Sequence, residues 1–535
     1  MISPRFIPHE IIDLIIPHLW EISLETPPLR VWEVDKKPNS RGLASYATIS
    51  RTWQFAIERY TFASIMTCSD DLPRLKRIVG DCARRRSHVK ELWFSINLLP
   101  YSESRRYFVE RPEEHQANLA AFQQGIQDLW GELSRWSREC HPSGIRLVLN
   151  ADARINRDAE NNEHLVSDGL TARWQYPDHF LSLGQDTRLP SLPAISELGV
   201  GFEGRYFHPS AIETLILSLP AVRRLHLFVG APQPRNHELR AEHRAILAQA
   251  LGSHTLRQLE FLSVSMEYST PNNHSWDMSP AHDPYYPEGD VLNRAICKLA
   301  QRSLRFLNLM DGWPISPALW GAGDQDDASN SAAEIVFPCL ETVYVQHSHI
   351  TYDGRWFYTG HPEAPPPSSG HTAAPPIYID YPSPLPIEAA DNSNPEALGR
   401  ENTIDRTRHL IQNADHPFHE WRVRPDPEMY NPLLRSLMRA VLQMPRLKSL
   451  WVELYTKTLL SNRIMMQVVA PGEKAGVLRW TRRLEDDLGR WRWIVLVEED
   501  LNDMLDWAWK VPADVYPLMR EMVGEDGAVL VQRFP

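Results

Sequence analysis

The sequence predicts an α/β protein whose centre is an array of short strands. A six-residue pattern with apolar residues at its first, fourth and sixth positions occurs seven times between residues 89 and 452. The first 66 residues carry apolar side chains at helical spacing, and residues 461–535 combine strand-like runs with a helix-like run. We therefore predict a helical N-terminal domain over 1–66, a repetitive body over 67–460 and a C-terminal α/β capping region over 461–535.

The repetitive body is predicted from the hexamers, which occupy 89–94, 195–200, 222–227, 256–261, 304–309, 340–345 and 447–452. Their last two apolar positions alternate, so they face one side of a short strand. The intervals between them are unequal, and most exceed the roughly 20–29 residues of a leucine-rich repeat. We predict an irregular leucine-rich-repeat-like solenoid; an ordinary α/β domain whose strands match the pattern by chance is the alternative.

Two segments within the body are predicted to be loop insertions. Residues 271–289 are rich in Pro, Asn, His and Tyr, and residues 361–427 contain several proline clusters. Such composition buries too little apolar surface to fold alone. In the capping region, strands are predicted at 464–470, 491–497 and 528–534, with a helix at 498–510; a distinct terminal unit would close the end of the array.

A two-part motif stands in the N-terminal domain. Residues 7–12 read Ile-Pro-His-Glu-Ile-Ile, and residues 43–53 begin with Leu and end with Ser-Arg-Thr-Trp. This pattern resembles the F-box, in which Leu-Pro-x-Glu is followed by Leu and then by Ser-Arg-x-Trp. The layout is also similar to fungal F-box proteins with irregular leucine-rich units. The chain departs from the family in the long gap between Leu19 and Leu43.

The resemblance implies a substrate-recognition subunit of an SCF-type ubiquitin ligase, bound to a Skp-type adaptor and through it to a cullin ligase. It assigns eight residues that make or support the adaptor contact: Ile7, Pro8, Ile11, Ile12, Ile15, Leu43, Ile49 and Trp53. Proline in the first helical turn costs no hydrogen bond, which suits the position of Pro8. The alternative is that these residues pack on the first repeat of an SCF-independent scaffold for protein–protein interaction.

Candidate substrate-binding residues come from two positions of the hexamers. The second position is often basic, and stacking would align such residues into a positive ladder for an acidic or phosphorylated segment. The fifth position is aromatic in three hexamers, and aromatic side chains can anchor a partner. The candidates are Arg223, Arg257, Arg305, Lys448, Trp93, Tyr344 and Trp451. A solvated rim is the alternative for the basic residues.

Other functional classes find little support in the sequence. The net charge of -12 argues against a nucleic-acid partner. Phosphate-binding, dinucleotide-binding and nucleophile-elbow motifs are absent, and the five cysteines form no Cys-x-x-Cys pair. We expect a non-enzymatic protein without cofactor or metal, with no membrane partner, in the cytoplasm or, through the basic run at 84–86, in the nucleus.

Overall fold

The chain is described here by a computed structural model. It covers residues 11–12, 14–16, 45–100, 110, 112–153, 179–184, 186–232, 236–267, 273–275, 288–321, 335–360, 421–422, 424–454, 464–473, 489–498 and 509–534. Within these ranges no helix is long and apolar enough to cross a membrane.

Twelve strands of the described chain form one sheet in which neighbours in space follow one another along the sequence. The bounds are β1 Ser64–Cys68, β2 Glu91–Leu98, β3 Ile145–Ala153, β4 Ile195–Gly204, β5 Arg224–Gly230, β6 Phe261–Glu267, β7 Phe306–Trp313, β8 Thr342–His347, β11 Ser449–Leu454, β12 Ile464–Val469, β13 Arg492–Glu498 and β14 Ala528–Phe534. Two short strands, β9 Tyr358–Thr359 and β10 Arg424–Pro425, form a separate antiparallel pair.

Adjacent strands are parallel from β1 through β8 to β11. The β11–β12 and β12–β13 pairs are antiparallel, and the β13–β14 pair is parallel. Parallel neighbours require crossover connections. The helices are α1 Arg51–Thr61, α2 Leu72–Leu75, α3 Ala83–His88, α4 Pro112–Leu133, α5 Pro209–Leu217, α6 His237–Gly252, α7 Val291–Ala300, α8 Pro427–Leu442 and α9 Val515–Val523.

The main core lies between one face of the sheet and helices α2 and α4–α9. Strand residues at alternate positions, such as Leu92, Leu225 and Val343, are buried together with helix residues such as Ile126 and Ile296. The opposite side is called the second face, and it carries Trp93, Val148, Gly199, His226, Ser263, Asn308, Tyr344 and Trp451, which are paired in neighbouring strands. The α/β prediction is confirmed.

Six of the seven hexamers supply strands in a common register. In the remaining one the register is displaced by three residues, because Leu262, not Leu259, pairs with Leu225 and Leu307. Two strands of the twelve-stranded sheet were not predicted: β3, and β1, which lies across the predicted domain boundary at residue 66. The short pair β9 and β10 was not predicted either. The predicted helix at 498–510 is corrected in part, since Glu498 ends β13 and residues 499–508 lie outside the described ranges. The predicted insertion at 361–427 also contains β10.

A buried polar cluster joins α6, α7 and the end of β7. The Asp290 carboxylate caps α7 by accepting from the Asn293 N–H at 3.1 Å. It also accepts from the Arg244 guanidinium at 2.5 Å and the Ser316 hydroxyl at 2.7 Å. The Trp313 indole N–H donates to the Asn293 amide oxygen at 2.8 Å. The negative charge is therefore neutralised inside the core, where an unpaired charge would be strongly destabilising.

Replacing Asp290 by alanine should lower the free energy of unfolding by about 3–5 kcal/mol, because the Arg244 charge would stay buried without its carboxylate. Urea denaturation measures this change. The matched control is Asp128→Ala on the exposed side of α4, which should change it by less than about 0.5 kcal/mol. Equal effects of the two substitutions would contradict the assigned role of Asp290.

Candidate functional site

The helical residues 11–12 and 14–16 and helix α1, together called the N-terminal helices, form a small core of their own. Ile12 and Ile16 are buried against Trp53, Ala56 and Ile57 of α1, in a cluster separate from the main core. The α1 helix begins after Ser50, whose hydroxyl accepts from the Trp53 N–H at 3.3 Å. A cluster of this size adds little stability by itself, so its attachment to the sheet is important.

Large apolar side chains are exposed on these helices and on the turn just before α1. Ile11, Leu14, Tyr46, Ile49 and Phe55 are between 39% and 65% exposed. They make up five of the eleven large hydrophobic residues that are exposed in the described chain. Sequence reasoning did not select Leu14, Tyr46 or Phe55, although Leu14 follows Ile11 at helical spacing. We call these five residues the N-terminal apolar patch.

The predicted adaptor-binding residues divide between this patch and the core beneath it. Ile11 and Ile49 are exposed, Ile15 is half-buried, and Ile12 and Trp53 are buried inside the protein's own N-terminal core. Ile12 and Trp53 therefore support the surface from below and do not themselves present apolar area. The remaining candidates lie outside the described residues: Ile7, Pro8 and Leu43.

A buried ion pair attaches α1 to α3. The Glu58 carboxylate lies 2.6 Å from Arg84 Nη2 and 2.9 Å from Arg85 Nη2, and it accepts from the Gln54 amide at 2.9 Å. Burial raises the pKa of Glu58. The hydrogen bonds from Arg85 and Gln54 and the two guanidinium charges outweigh that effect, so the pKa lies below its ordinary value.

The basic run at 84–86 is thus part of the fold. Arg84 also lies over the Phe55 ring, 3.9 Å from its centroid. The Arg86 guanidinium donates to the Gly80 carbonyl at 2.9 Å. All three arginines are half-buried and contact the protein, so the run has a structural role.

The row of second hexamer positions is charge-alternating. Backbone bonds align Arg223, Glu260, Arg305, Glu341 and Lys448 from strand to strand at 2.7–2.8 Å. The Glu341 carboxylate lies 2.6 Å from Arg305 and 2.7 Å from Lys448, and these two partners hold its pKa at about 2. Glu260 lies 3.5 Å from Arg223. The predicted positive ladder is therefore wrong.

Arg257 does not belong to this row. It lies in the exposed 3₁₀ turn His254–Gln258, ahead of β6, because the strand register places Glu260 at the second position. The apolar pattern alone fits two registers, because a hexamer can begin at Leu256 or, three residues later, at Leu259. The substrate-binding roles of Arg223, Arg305 and Lys448 stay predictions, now for side chains that already have carboxylate partners.

The second face is charge-balanced across β2–β5. Glu91, Arg146, Glu197 and Arg224 alternate in sign on successive strands, at ion-pair distances of 2.9–3.0 Å. His226 adds a contact to Glu197 at 3.2 Å. Each cation in this row has a carboxylate partner, so this half of the second face presents little net charge.

The three predicted aromatic anchors lie on the second face as expected. Trp93 packs on Phe202 with ring centroids 6.1 Å apart. Tyr344 and Trp451 are neighbours on β8 and β11, 5.8 Å apart, and both donate to the Glu453 carboxylate, at 2.6 and 3.0 Å. All three aromatic residues are half-buried. Their role as binding anchors stays a prediction.

A cluster that sequence reasoning missed surrounds Glu110. His115 and His179 each lie near its carboxylate, at 3.2 and 3.1 Å, and this is the one described group with the ligand spacing of a metal site. However, Arg205 binds both carboxylate oxygens at 2.8–2.9 Å, and Asn118 donates at 2.6 Å. Burial raises the pKa of Glu110, but these partners keep it well below its ordinary value.

The donors already present satisfy the Glu110 carboxylate, and a cation would lie beside the Arg205 charge. We therefore assign the cluster a structural role. Sequence spacing gave no signal for it, because Glu110 and His179 are 69 residues apart and are brought together only by the fold.

The Glu58 contact gives a local prediction. Glu58→Ala leaves Arg84 and Arg85 without their carboxylate, which should destabilise the attachment of α1 by about 1–3 kcal/mol, since the arginines are partly exposed. Amide hydrogen exchange in α1 should then accelerate about tenfold or more, while β5 amides stay unchanged. Asp81→Ala, at an exposed position before α3, is the control. Unchanged exchange in α1 would show that Glu58 does not hold the helix.

Comparison of the chain with models of protein families, with curated proteins and with solved structures gives no match. Function is therefore inferred from the described residues themselves. These are the N-terminal apolar patch, the Glu58 ion pair, the charge-balanced β2–β5 part of the second face, and the Tyr344–Trp451 pair on the same face.

Proposed function

We propose that the chain is an F-box substrate receptor of an SCF-type ubiquitin ligase. The N-terminal helices would bind a Skp-type adaptor, and the sheet would hold a protein substrate. The observation that carries the proposal is the N-terminal apolar patch, which occurs in the same helices as the F-box-like motif.

Exposed apolar side chains favour a protein partner when they are concentrated. Single exposed hydrophobic residues are common on any surface. Here nearly half of the large exposed hydrophobic residues of the described chain lie between residues 11 and 55. A partner that covered them would remove this apolar area from water, which is the main driving force for association.

The rest of the chain fits a repeat-based receptor. We propose that the sequentially ordered, mostly parallel sheet, with its main core on one side, is the irregular leucine-rich-repeat-like solenoid expected from the hexamers. Its second face would bind substrate. Such a receptor needs no reactive group, because tethering a substrate beside the ligase raises its effective concentration.

A scaffold outside any ligase is the second candidate. The burial of Ile12 and Trp53 in a core of their own favours it, since the N-terminal helices could simply cap the first strand. The two candidates differ in whether the N-terminal apolar patch binds the adaptor.

Adaptor binding is tested by co-elution of the full chain with a purified Skp-type adaptor. Replacing Ile11, Leu14 and Ile49 by serine should weaken binding at least about tenfold, because the apolar contact area is lost without disturbing the core beneath. The matched control replaces three aliphatic residues exposed elsewhere, Leu217, Val336 and Val531, by serine. The control should still co-elute.

If the intact chain does not bind the adaptor, the scaffold takes first place. If the patch variant binds as well as the intact chain, the docking surface is not the N-terminal apolar patch, and the proposal fails in its central observation.

A further inference from the structure

A bulge in β7 changes the second face at the centre of the sheet. Leu309 pairs with Val345 and Trp313 with His347, so β7 carries two more residues than β8 over this interval. Asp311 has φ +59°, the one positive value for a non-glycine residue in the described chain, and Gly312 follows at +73°. Bulges re-aim side chains, and strained backbone of this kind is concentrated at functional sites.

The Gln346 side chain connects the bulge to Glu453. Its amide oxygen accepts from the Asp311 backbone N–H at 3.2 Å, and its nitrogen donates to the Glu453 carboxylate at 2.9 Å. Tyr344 and Trp451 also donate to Glu453, and the Ser265 hydroxyl donates to Asp311. The acid–aromatic site is defined as Asp311, Tyr344, Gln346, Trp451 and Glu453.

Among the described residues, the donors to these two carboxylates are neutral groups. Within the described residues, neither Asp311 nor Glu453 forms an ion pair with a lysine, arginine or histidine. The β2–β5 half of the second face is different, because Glu91 and Glu197 both contact Arg146 there. Among the residues that the structure describes, two negative charges therefore remain uncompensated on one half of the face.

The Tyr344 hydroxyl is affected by the charges of both carboxylates. Burial raises the pKa of the Tyr344 hydroxyl, and the negative charges of Glu453 and Asp311 raise it further. Since Tyr344 and Trp451 are half-buried and 5.8 Å apart, they present ring area beside the carboxylates. Carboxylates next to aromatic rings suit a cation, which gains from both ionic hydrogen bonds and the ring electrons.

A third observation indicates a missing hydrogen-bond donor. Gln467 pairs with Trp451 across β11 and β12, so it lies on the second face beside the acid–aromatic site. Its side chain is buried, and its Oε1 accepts no hydrogen bond within the described residues. A buried acceptor without a partner is costly, and a donor from a ligand would satisfy it.

We propose that the acid–aromatic site binds a lysine or arginine side chain of the protein substrate. The biological role of this site rests on the proposed receptor function, since the bound side chain would belong to the receptor's substrate. The expected partner is a basic segment, in contrast to the acidic segment suggested by the hexamer pattern.

The probe is a fluorescein-labelled glycine–serine peptide carrying two arginines and a lysine, titrated with the full chain and followed by fluorescence anisotropy. Its neutral counterpart has glutamine at the three positions. The variant combines Asp311→Asn with Glu453→Gln, which removes both charges. Asparagine tolerates a positive φ, and the glutamine oxygen can still accept from Tyr344 and Gln346, which share one oxygen of Glu453. Affinity for the basic peptide should fall at least about tenfold.

The control variant is Glu91→Gln, which removes a carboxylate of the same face that already has an arginine partner. It should bind the basic peptide within about twofold of the intact chain. Thermal unfolding of both variants checks that they remain folded. Equal binding of the neutral peptide, or unchanged affinity of the double variant, would overturn the proposal.

Adaptor co-elution of the double variant separates the two proposals. It should be retained, because the charges lie on the second face and not in the N-terminal apolar patch. Basic-peptide binding without any adaptor binding would leave the site standing and remove the receptor role. Adaptor binding without basic-peptide binding would keep the receptor role and overturn the proposed acid–aromatic site.

Discussion

The strands of this protein bury their apolar sides in one continuous core, so the common register of the sheet is the constraint on which the structure depends. Leu225 pairs with Leu262, which pairs with Leu307, and all three are buried in one continuous core. A one-residue slip would turn these leucines to the second face and bring charged residues into the core. The same alternation therefore determines which side chains are left for binding.

That register also decides how charge is distributed. Along the rim it places Glu341 between Arg305 and Lys448, and on the second face it places Arg146 between Glu91 and Glu197. Opposite charges on neighbouring strands stabilise the sheet and leave little field outside it. The bulge in β7 interrupts this order, and among the described residues Asp311 in the bulge and Glu453 two strands away are carboxylates without an ionic partner. The surface chemistry thus follows from where the pairing is regular and where it is not.

Much of the fold was predictable from alternation, because six hexamers already encode strands with one apolar side. The remainder of the fold depends on pairing between residues that are far apart in the sequence, which a short stretch of sequence does not reveal. Leu256 and Leu259 offer two registers, and only the pairing with β5 and β7 selects one. Among the proposed binding residues, Ile11 and Ile49 were predicted from the F-box-like motif. Asp311 and Glu453 were not predicted, because the position of Asp311 depends on the bulge and the surroundings of Glu453 depend on Tyr344 and Gln346 of the neighbouring strand.

In the proposed receptor, the junction between the docking helices and the sheet has a mechanical consequence. The α1 helix ends at Thr61 and β1 begins at Ser64, and the intervening Ala63 carbonyl accepts from the N–H groups of Lys90 and Glu91 at 2.8 and 2.9 Å. Together with the Glu58 ion pair, this leaves no flexible linker at that point. A substrate on the sheet would then be presented in a restricted orientation, and for a tethered reaction a stiff connection of suitable length gives a higher effective concentration than a long flexible one.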